Sequence, residues 1–426
     1  MLSHGFDHPS RRIAPRAAIA LAALVLALAA CSSGGSSSPA SQAAGSSAPG
    51  SQAAGSQAAG SQAAGSQAVA GGACPLGTDP DAAIAKLSST VLSTGPFGEK
   101  PAAPTDVTLT ADEIAKVKAM NATAAIVMHI QGDWTKAQVI GLTTTFNDLG
   151  IKVVASTNGE GKTEKQVADI ETVLVQKPSI VVSIPWSPGD EVAAYQKIVD
   201  SGAKLVFADN AIPNFKAGKD YVSTVSADNY GNGVASGYLM AKALKTKNGD
   251  YKGSIGVVWF DIDFFVTNQR RDAFRATIKD CFPNIKIAED QGFPAGADLA
   301  GGAETVASAM LSRNPTLDGI WAVWDQPAEG VIAAARSAGR NDLIVTTEDL
   351  SLTSALSLKK GEFIQGLGAQ RPYDQGVAEA KLAAYGLLGK TAPPYVALNA
   401  LPVSKDNVLQ AWKDVYHTDP PAELGQ

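Results

Sequence analysis

The feature that most constrains the fold is an alternation of short apolar runs and helical periods, which occurs twice along the chain. The first series begins with the apolar run 124–130 and ends with the run 204–208. The second begins with the helical period 230–244 and ends with the run 363–368. Because these runs are apolar on both faces, they predict parallel strands covered by helices on both sides. The sequence therefore predicts an α/β protein with two doubly wound parallel-sheet lobes.

The predicted elements can be given in chain order. In the first series, strands are predicted at 124–130, 151–155, 180–184 and 204–208, with helices at 136–149, 163–176 and 191–201. In the second series, strands are predicted at 254–260, 285–289, 319–324, 343–347 and 363–368, with helices at 230–244, 268–280, 302–313, 328–338 and 352–360. Before both series, a helix is expected from Asp81 to Leu92, and a capping box at Thr110 and Glu113 opens another helix that runs towards Met120.

A secretory signal is predicted at residues 1–30. Three arginines precede an apolar run from Ala17 to Ala27, and small residues follow it. The run is shorter than the roughly 20 apolar residues that span a bilayer. Leu28-Ala29-Ala30-Cys31 is typical of a lipoprotein signal, in which the cysteine receives a lipid. We expect a protein of the periplasm or cell surface that is anchored to the membrane at Cys31.

Residues 31–73 are predicted to be a disordered linker. The segment has no charged residue and repeats Ser-Gln-Ala-Ala-Gly at 41–45, 51–55, 56–60 and 61–65. It has too little bulky apolar surface to offset the entropy of ordering.

The net charge excludes some partners. Residues 1–30 carry three Arg and one Asp, so their removal changes the formal net charge from −6 to −8. An acidic chain lacks the basic footprint of a nucleic-acid-binding protein and of a polybasic membrane clamp. We therefore expect no nucleic-acid partner and membrane contact through the lipid only. Only His129 and His417 remain after the signal, too few and too isolated for a metal cluster.

Two cysteines remain once Cys31 is lipidated. An oxidising exterior would allow Cys74 and Cys281 to pair and so to fix the arm at 74–121 to the body. Two buried free thiols are the alternative.

Five segments resemble those of a known family. They are Gln166-Val167-Ala168-Asp169-Ile170, Val206-Phe207-Ala208-Asp209-Asn210, Ser226-Ala227-Asp228-Asn229, Asn268-Gln269-Arg270-Arg271-Asp272-Ala273-Phe274, and the run from Gly368 to Gly376. In order and spacing they resemble the type 1 periplasmic binding proteins, in particular the ribose-binding-like receptors of sugar ABC transporters. The resemblance covers about 124–403.

The resemblance implies a domain organisation and a set of partners. One lobe would comprise 122–226 plus 371–398 and the other 227–370 plus 399–415, joined by a three-strand hinge, with a C-terminal tail at 416–426. The ligand would lie between the lobes. The resemblance further implies a monomer without cofactor, not an enzyme, that passes its ligand to an ABC permease and its ATPase.

Candidate ligand-binding side chains follow the carboxyl ends of the predicted strands, where ligands bind in open parallel sheets. Carboxylates and amides can pair with the hydroxyl groups of a sugar or polyol, and aromatic rings can stack on its C–H face. By resemblance, Asp209, Asp349 and Gln370 occupy ligand-binding positions of the family. Asn268 and Trp324 replace residues usual in ribose binders, which favours another sugar or polyol. The predicted set is Asp133, Trp134, Trp186, Asp209, Asn210, Phe265, Asn268, Arg271, Trp324, Asp325, Asp349 and Gln370.

Other residues are expected to have structural roles. Trp259 and Trp321 lie inside strand runs and are expected in the core. Asp228 is expected to bind backbone groups in the hinge. His129 is expected to be a core or cleft-edge histidine with its hydrogen bonds satisfied.

Three functions are consistent with these features. The first is a lipid-anchored receptor that captures a sugar or sugar-like molecule for import by an ABC transporter. The second is a sensor that reports its ligand to a membrane kinase or chemoreceptor. The third is a lipid-anchored glycan hydrolase that uses two acids in the cleft.

Overall fold

A computed structural model of the chain describes residue 74, residues 76–296 and residues 298–425. The predicted signal at 1–30, the lipidated Cys31 and the linker at 31–73 lie outside the described residues. None of the helices in the described ranges has the length and hydrophobicity of a membrane-spanning segment.

The strands form two sheets of the same topology. They are β1 (Thr123–Met128), β2 (Lys152–Asn158), β3 (Ile180–Ser183), β4 (Lys204–Ala208), β5 (Thr224–Ala227), β6 (Gly253–Phe260), β7 (Ile285–Phe293), β8 (Gly319–Ala322), β9 (Ile344–Glu348), β10 (Ile364–Ala369), β11 (Tyr395–Leu398) and β12 (Leu401–Val403). The sheet orders are β2-β1-β3-β4-β5-β11 and β7-β6-β8-β9-β10-β12. All pairs in the first sheet are parallel, and in the second only β10 and β12 are antiparallel. The two parallel-sheet lobes predicted from the sequence are confirmed.

Helices cover the faces of both sheets. They are α1 (Pro80–Leu87), α2 (Ala111–Ala119), α3 (Asp133–Asp148), α4 (Thr163–Val175), α5 (Val192–Asp200), α6 (Asn229–Asn248), α7 (Phe265–Cys281), α8 (Leu299–Arg313), α9 (Asp325–Ser337), α10 (Leu352–Lys360), α11 (Pro372–Leu388), α12 (Val408–Tyr416) and α13 (Ala422–Gly425). In the first lobe, α4 and α5 bury one face of the sheet around Tyr195 and Phe207, and α11 packs on α3, β4 and β5. Strands buried on both faces explain why the runs are apolar throughout.

The chain passes between the lobes at 227–229, 369–372 and 398–401. Asp228 lies at the first crossing and is fully buried. Its carboxylate accepts hydrogen bonds from the N–H groups of Leu92, Ser93 and Gly231, each 2.8 Å long. The predicted backbone-binding role of Asp228 is confirmed, and it fixes the arm at 74–121 to the hinge.

The arm contacts both lobes. A disulfide joins Cys74 to Cys281, the last residue of α7 in the second lobe. Further along, Ala102 forms a β-bridge with Val396 in β11 of the first lobe. The arm therefore begins on one lobe, crosses the hinge at Asp228 and ends on the other.

The first helix is shorter than predicted. It ends at Leu87 rather than at Leu92. The Ser88 and Ser89 hydroxyls donate to the carbonyls of Ala85 (2.8 Å) and Lys86 (3.1 Å), a side-chain to backbone bond that competes with helix continuation. Residues 416–426, expected as a tail, contain α13, whose Leu424 is fully buried.

Candidate ligand-binding site

A cavity of about 270 Å³ lies where the carboxyl ends of strands from both sheets meet. From the first sheet, Trp186 follows β3 and Asp209 follows β4; from the second, Trp324 follows β8 and Asp349 follows β9. Loops at the carboxyl ends of parallel strands are the usual ligand site of such sheets. Among the predicted residues, those that line the cavity are Asp133, Trp134, Trp186, Asp209, Trp324, Asp325, Asp349 and Gln370.

Three predicted residues on α7 do not line the cavity, and their prediction is corrected. The helix begins at Phe265. Phe264, Thr267 and Arg270 line the cavity, whereas Phe265, Asn268 and Arg271 are not among its lining residues. Asn268 donates to Asp263 (3.1 Å). Because each helical residue turns about 100° from the last, an error of one position moves every side chain to another face.

Arg271 and Trp259 form a surface contact instead. The Arg271 guanidinium lies 4.7 Å from the centre of the Trp259 ring, and Arg271 pairs with Asp272 at 3.0 Å. Trp259 is partly buried and packs against the edge of the core, whereas Trp321 is fully buried as expected.

Asn210 is also corrected. It is fully buried and does not line the cavity. Its neighbour Asp209 adopts a left-handed conformation (φ 56°), which turns the Asp209 side chain to the cavity and carries Asn210 into the interior. Its side-chain oxygen and nitrogen have no hydrogen-bond partner among the described residues.

Asp209 and Asp349 occupy equivalent positions in the two lobes. Each follows the fourth strand of its lobe and is left-handed, with φ of 56° and 64°. Their N–H groups donate to the carbonyls of Val225 (2.8 Å) and Gly368 (2.9 Å) on the next strand. Aspartate tolerates this conformation better than most residues because its short side chain can form local hydrogen bonds. The same turn thus directs one carboxylate from each lobe to the cavity.

Arg270, which the sequence analysis did not select, is the basic side chain that lines the cavity. Its guanidinium donates to Asp349 (3.0 Å), to Asn229 (2.9 Å) and to the Val323 carbonyl (3.3 Å). The apolar stripe of α7 could have revealed it, since Arg270 lies three and four residues before the buried Ala273 and Phe274. Asp349 is therefore held as an ion pair.

Three other acids line the cavity without an ion pair among the described residues, Asp209, Asp325 and Glu329, and burial acts on the first two. Burial raises the pKa of Asp209 to about 6, against a hydrogen bond from Ser226 (2.6 Å) and the nearby charge of Arg270, which lower it. Burial and the neighbouring Asp349 carboxylate raise the pKa of Asp325 to about 7.

Aromatic rings from both lobes form the apolar wall of the cavity. His129 and Trp186 come from the first lobe, Phe260 and Phe264 from the second. The ring centres of His129 and Phe264 are 6.0 Å apart, and those of Trp186 and Phe260 are 5.8 Å apart. These pairs bring the two lobes into contact at the cavity.

His129 differs from its prediction. It lies at the edge of the cleft, but its Nδ1 has no hydrogen-bond partner among the described residues. Burial lowers the pKa of His129 to about 3, so the ring is neutral at pH 7 and can accept or donate a hydrogen bond. The predicted strand at 124–130 included His129, whereas β1 ends at Met128 and His129 follows it.

Gln166 holds Trp186 in place. Its side-chain nitrogen donates to the Ile184 carbonyl and its oxygen accepts from the Trp186 N–H, both at 2.8 Å. Gln166 is fully buried on α4, so a rigid helix positions the loop after β3.

Residues 124–391 match the model of the periplasmic binding protein domain. The chain belongs to the periplasmic binding protein family. The family is that of extracytoplasmic solute-binding proteins rather than enzymes, and it agrees with the resemblance found in the sequence.

Solved structures show the same fold. A carbohydrate-transporter solute-binding protein from Agrobacterium radiobacter, in complex with D-arabinose, is 21% identical with a TM-score of 0.62, over 70% of this chain and 99% of that chain. An ABC transporter solute-binding protein from Agrobacterium vitis, bound with α-D-tagatopyranose, is 21% identical with a TM-score of 0.62. The match covers 69% of this chain and 99% of that chain. An ABC transporter periplasmic solute-binding protein from Actinobacillus succinogenes, with bound D-allose, is 20% identical with a TM-score of 0.58. The match covers 67% of this chain and 99% of that chain.

Several buried polar atoms of this periplasmic binding protein have no hydrogen-bond partner among the described residues. They include the indole nitrogens of Trp134 and Trp324 and the side-chain oxygen of Gln370. All three residues line the cavity. A buried polar group without a partner costs about 1–3 kcal/mol, and a polar guest in the cavity would recover that cost. No group of side chains in the described residues has the composition and geometry of a metal site.

Proposed function

We propose that this periplasmic binding protein captures a sugar or sugar-like polar small molecule and delivers it to an ABC permease driven by a cytoplasmic ATPase. The observation that carries the proposal is the composition of the cavity. It combines aromatic faces with carboxylates that have no ion pair among the described residues, Asp209 and Asp325 among them, and with the unpartnered amide oxygen of Gln370. Hydroxyl groups need such acceptors, and a sugar ring offers a C–H face to the aromatic wall.

The size of the cavity supports a small guest. At about 270 Å³ it is near the lower end of small-molecule sites, which suits a single sugar ring better than an oligosaccharide. The solved relatives with bound D-arabinose, tagatopyranose and D-allose support the same class of ligand.

The two lobes would close on the guest by rotation about the three crossings. We propose 122–226 plus 371–398 and 227–370 plus 399–415 as the moving bodies. A guest that contacts both lobes stabilises the closed state through its higher affinity for that state.

Anchoring is a further part of the proposal. A lipid on Cys31 and the linker expected at 31–73 would hold a monomer near its permease, with membrane contact through the lipid only. The signal motif at residues 28–31 supports this arrangement.

A thermal-shift screen of pentoses, hexoses, polyols and nucleosides on the purified protein tests the function. We expect at least one sugar or polyol to raise the melting temperature, because it binds only the folded state. Asp209→Asn should abolish that shift and change the unliganded melting temperature little, because asparagine tolerates the left-handed turn.

The matched control is Glu171→Gln, an exposed acid in a surface pair with Lys197. It should retain the full shift. If no sugar or polyol stabilises the protein, or if one does so equally in the Asp209→Asn variant, the proposal fails.

A further inference from the structure

One end of the cavity is lined by three carboxylates. A second cavity of about 10 Å³ shares Asp133, Asp325, Asp349, Trp134 and Gln370 with the main one. This volume suits a group the size of one water molecule. We call this region the acid-lined end. Asp133 is the first residue of α3 and Asp325 the first of α9, so the two lobes each contribute an acid to it.

The positive charges near the acid-lined end do not balance these carboxylates. Arg270 pairs with Asp349 at 3.0 Å, and Lys136 lies 3.7 Å from Asp133 with an exposed side chain. Asp325 has no ion pair among the described residues. Glu329 also lines the main cavity, and it adds to the negative charge near Asp325.

The hydrogen-bonding groups at this end are mostly acceptors. The Nε2 of Gln370 already donates to Asp349 (2.8 Å), which leaves its buried Oε1 without a donor. Gln370 is 4% exposed, so solvent does not supply that donor. The carboxylates of Asp133 and Asp325 are acceptors as well, and Asp325 already accepts one hydrogen bond from the Ser351 hydroxyl. The unpartnered donor on this wall is the indole N–H of Trp134.

We propose that the guest carries a primary ammonium group, which the acid-lined end holds between Asp133, Asp325 and Asp349. An ammonium has three donors and no acceptor, whereas a hydroxyl adds lone pairs to a wall already rich in acceptors. The adjacent Trp134 ring can also attract a cation through its face. The inference rests on the proposed function and narrows its ligand to an amino sugar.

The raised pKa of Asp325 agrees with this proposal. Burial and the charge of Asp349 make the carboxylate costly to ionise, and an ammonium beside it removes that cost.

Isothermal titration of the full protein with matched sugars tests the inference. The probes are D-glucosamine, D-galactosamine and D-mannosamine, each compared with its parent hexose and its N-acetyl derivative. We expect at least one amine to bind about tenfold more tightly than both neutral counterparts, as a charge-assisted bond predicts. Asp325→Asn should remove that preference, and the control Glu171→Gln should retain it.

The comparison of amine and neutral sugars on the wild-type protein needs no variant. If Asp325→Asn folds poorly, Asp133→Asn replaces it and should reduce the preference for the amine. Equal or tighter binding of the neutral sugars overturns the inference but leaves the proposed function intact. If no probe in the panel binds, the inference is overturned, and the broader screen alone then decides the proposed function.

Discussion

At the residue scale, Arg270 determines which acid of the cavity is held in an ion pair and which acids are not. Its guanidinium pairs with Asp349 and is buried, with only 3% of the side chain exposed. Asp349 is therefore held in an ion pair. Asp209 and Asp325 have no such partner among the described residues, and burial raises the pKa of each because it disfavours the charged form. Arg270 pairs with only one of the acids that line the cavity, which leaves the cavity with an excess of negative charge.

The stability of the unliganded protein should depend on the protonation of Asp325. Its pKa rises from 3.8 to about 7 on folding, so the folded state binds the proton more tightly than the unfolded state. That contribution to stability is complete below the unfolded pKa and is lost as the pH rises through about 7. Relative to the wild type, Asp325→Asn should therefore gain stability as the pH rises, by on the order of 2 kcal/mol between pH 5 and pH 8.

Urea unfolding of both proteins at the two pH values measures this difference. Asp349 and Glu329, whose charges act on Asp325, are present in both proteins, so the two proteins differ only at residue 325. Glu171→Gln, whose acid is exposed, should show no such dependence on pH. A stability difference that is the same near pH 5 and near pH 8 would contradict the raised pKa.

Sequence reasoning found residues at strand ends more reliably than residues on helices. Trp186, Asp209 and Asp349 follow strands whose bounds were predicted within one or two residues, and all three line the cavity. On α7 the predicted start at 268 was three residues late, and Arg271 was chosen in place of Arg270. Which of two neighbouring helical residues lines the cavity depends on the rotation of the helix about its own axis. A helix start predicted three residues late leaves that rotation undetermined.

At the element scale, the arm at 74–121 is the part that the sequence described least. Its path depends on long-range contacts, such as the hydrogen bonds of Leu92 and Ser93 to Asp228. The helix predicted to reach Leu92 ends at Leu87, and the residues after it extend to these contacts. The strands β5, β11 and β12 were also missed, because runs of three or four residues carry little periodicity.

Removal of the disulfide should destabilise the folded protein. The Cys74–Cys281 bond closes a loop with a sequence separation of 207, which restricts the unfolded chain. The double variant Cys74→Ser and Cys281→Ser should lose about 2–4 kcal/mol of unfolding free energy in urea.

The control variant is Asp81→Asn, which breaks an ion pair between the arm and α6 in which both Asp81 and Lys242 are largely exposed. It should cost less than about 1 kcal/mol. A double cysteine variant as stable as the wild type would show that the bond does not fix the arm to the second lobe.

At the scale of the whole molecule, two lobes of one topology present equivalent strand ends to the same cavity. Asp209 and Asp349 are the clearest pair, with the same left-handed turn after the fourth strand of each lobe. The repeated alternation of strands and helices was enough to predict this architecture. It could not define the wall of the cavity, because side chains from different lobes, such as His129 and Phe264, meet only in the folded chain.

The central claim is that a sugar-like guest lies between the two sheets, in contact with both lobes and chemically unchanged. A crystal structure of the protein with the sugar that gives the largest thermal shift tests it most directly. We predict electron density for one intact molecule in the cavity, within hydrogen-bond distance of Asp209 from one lobe and of Asp325 or Asp349 from the other. Density for the sugar only at the outer surface, or for a cleaved product in the cavity, would contradict the account.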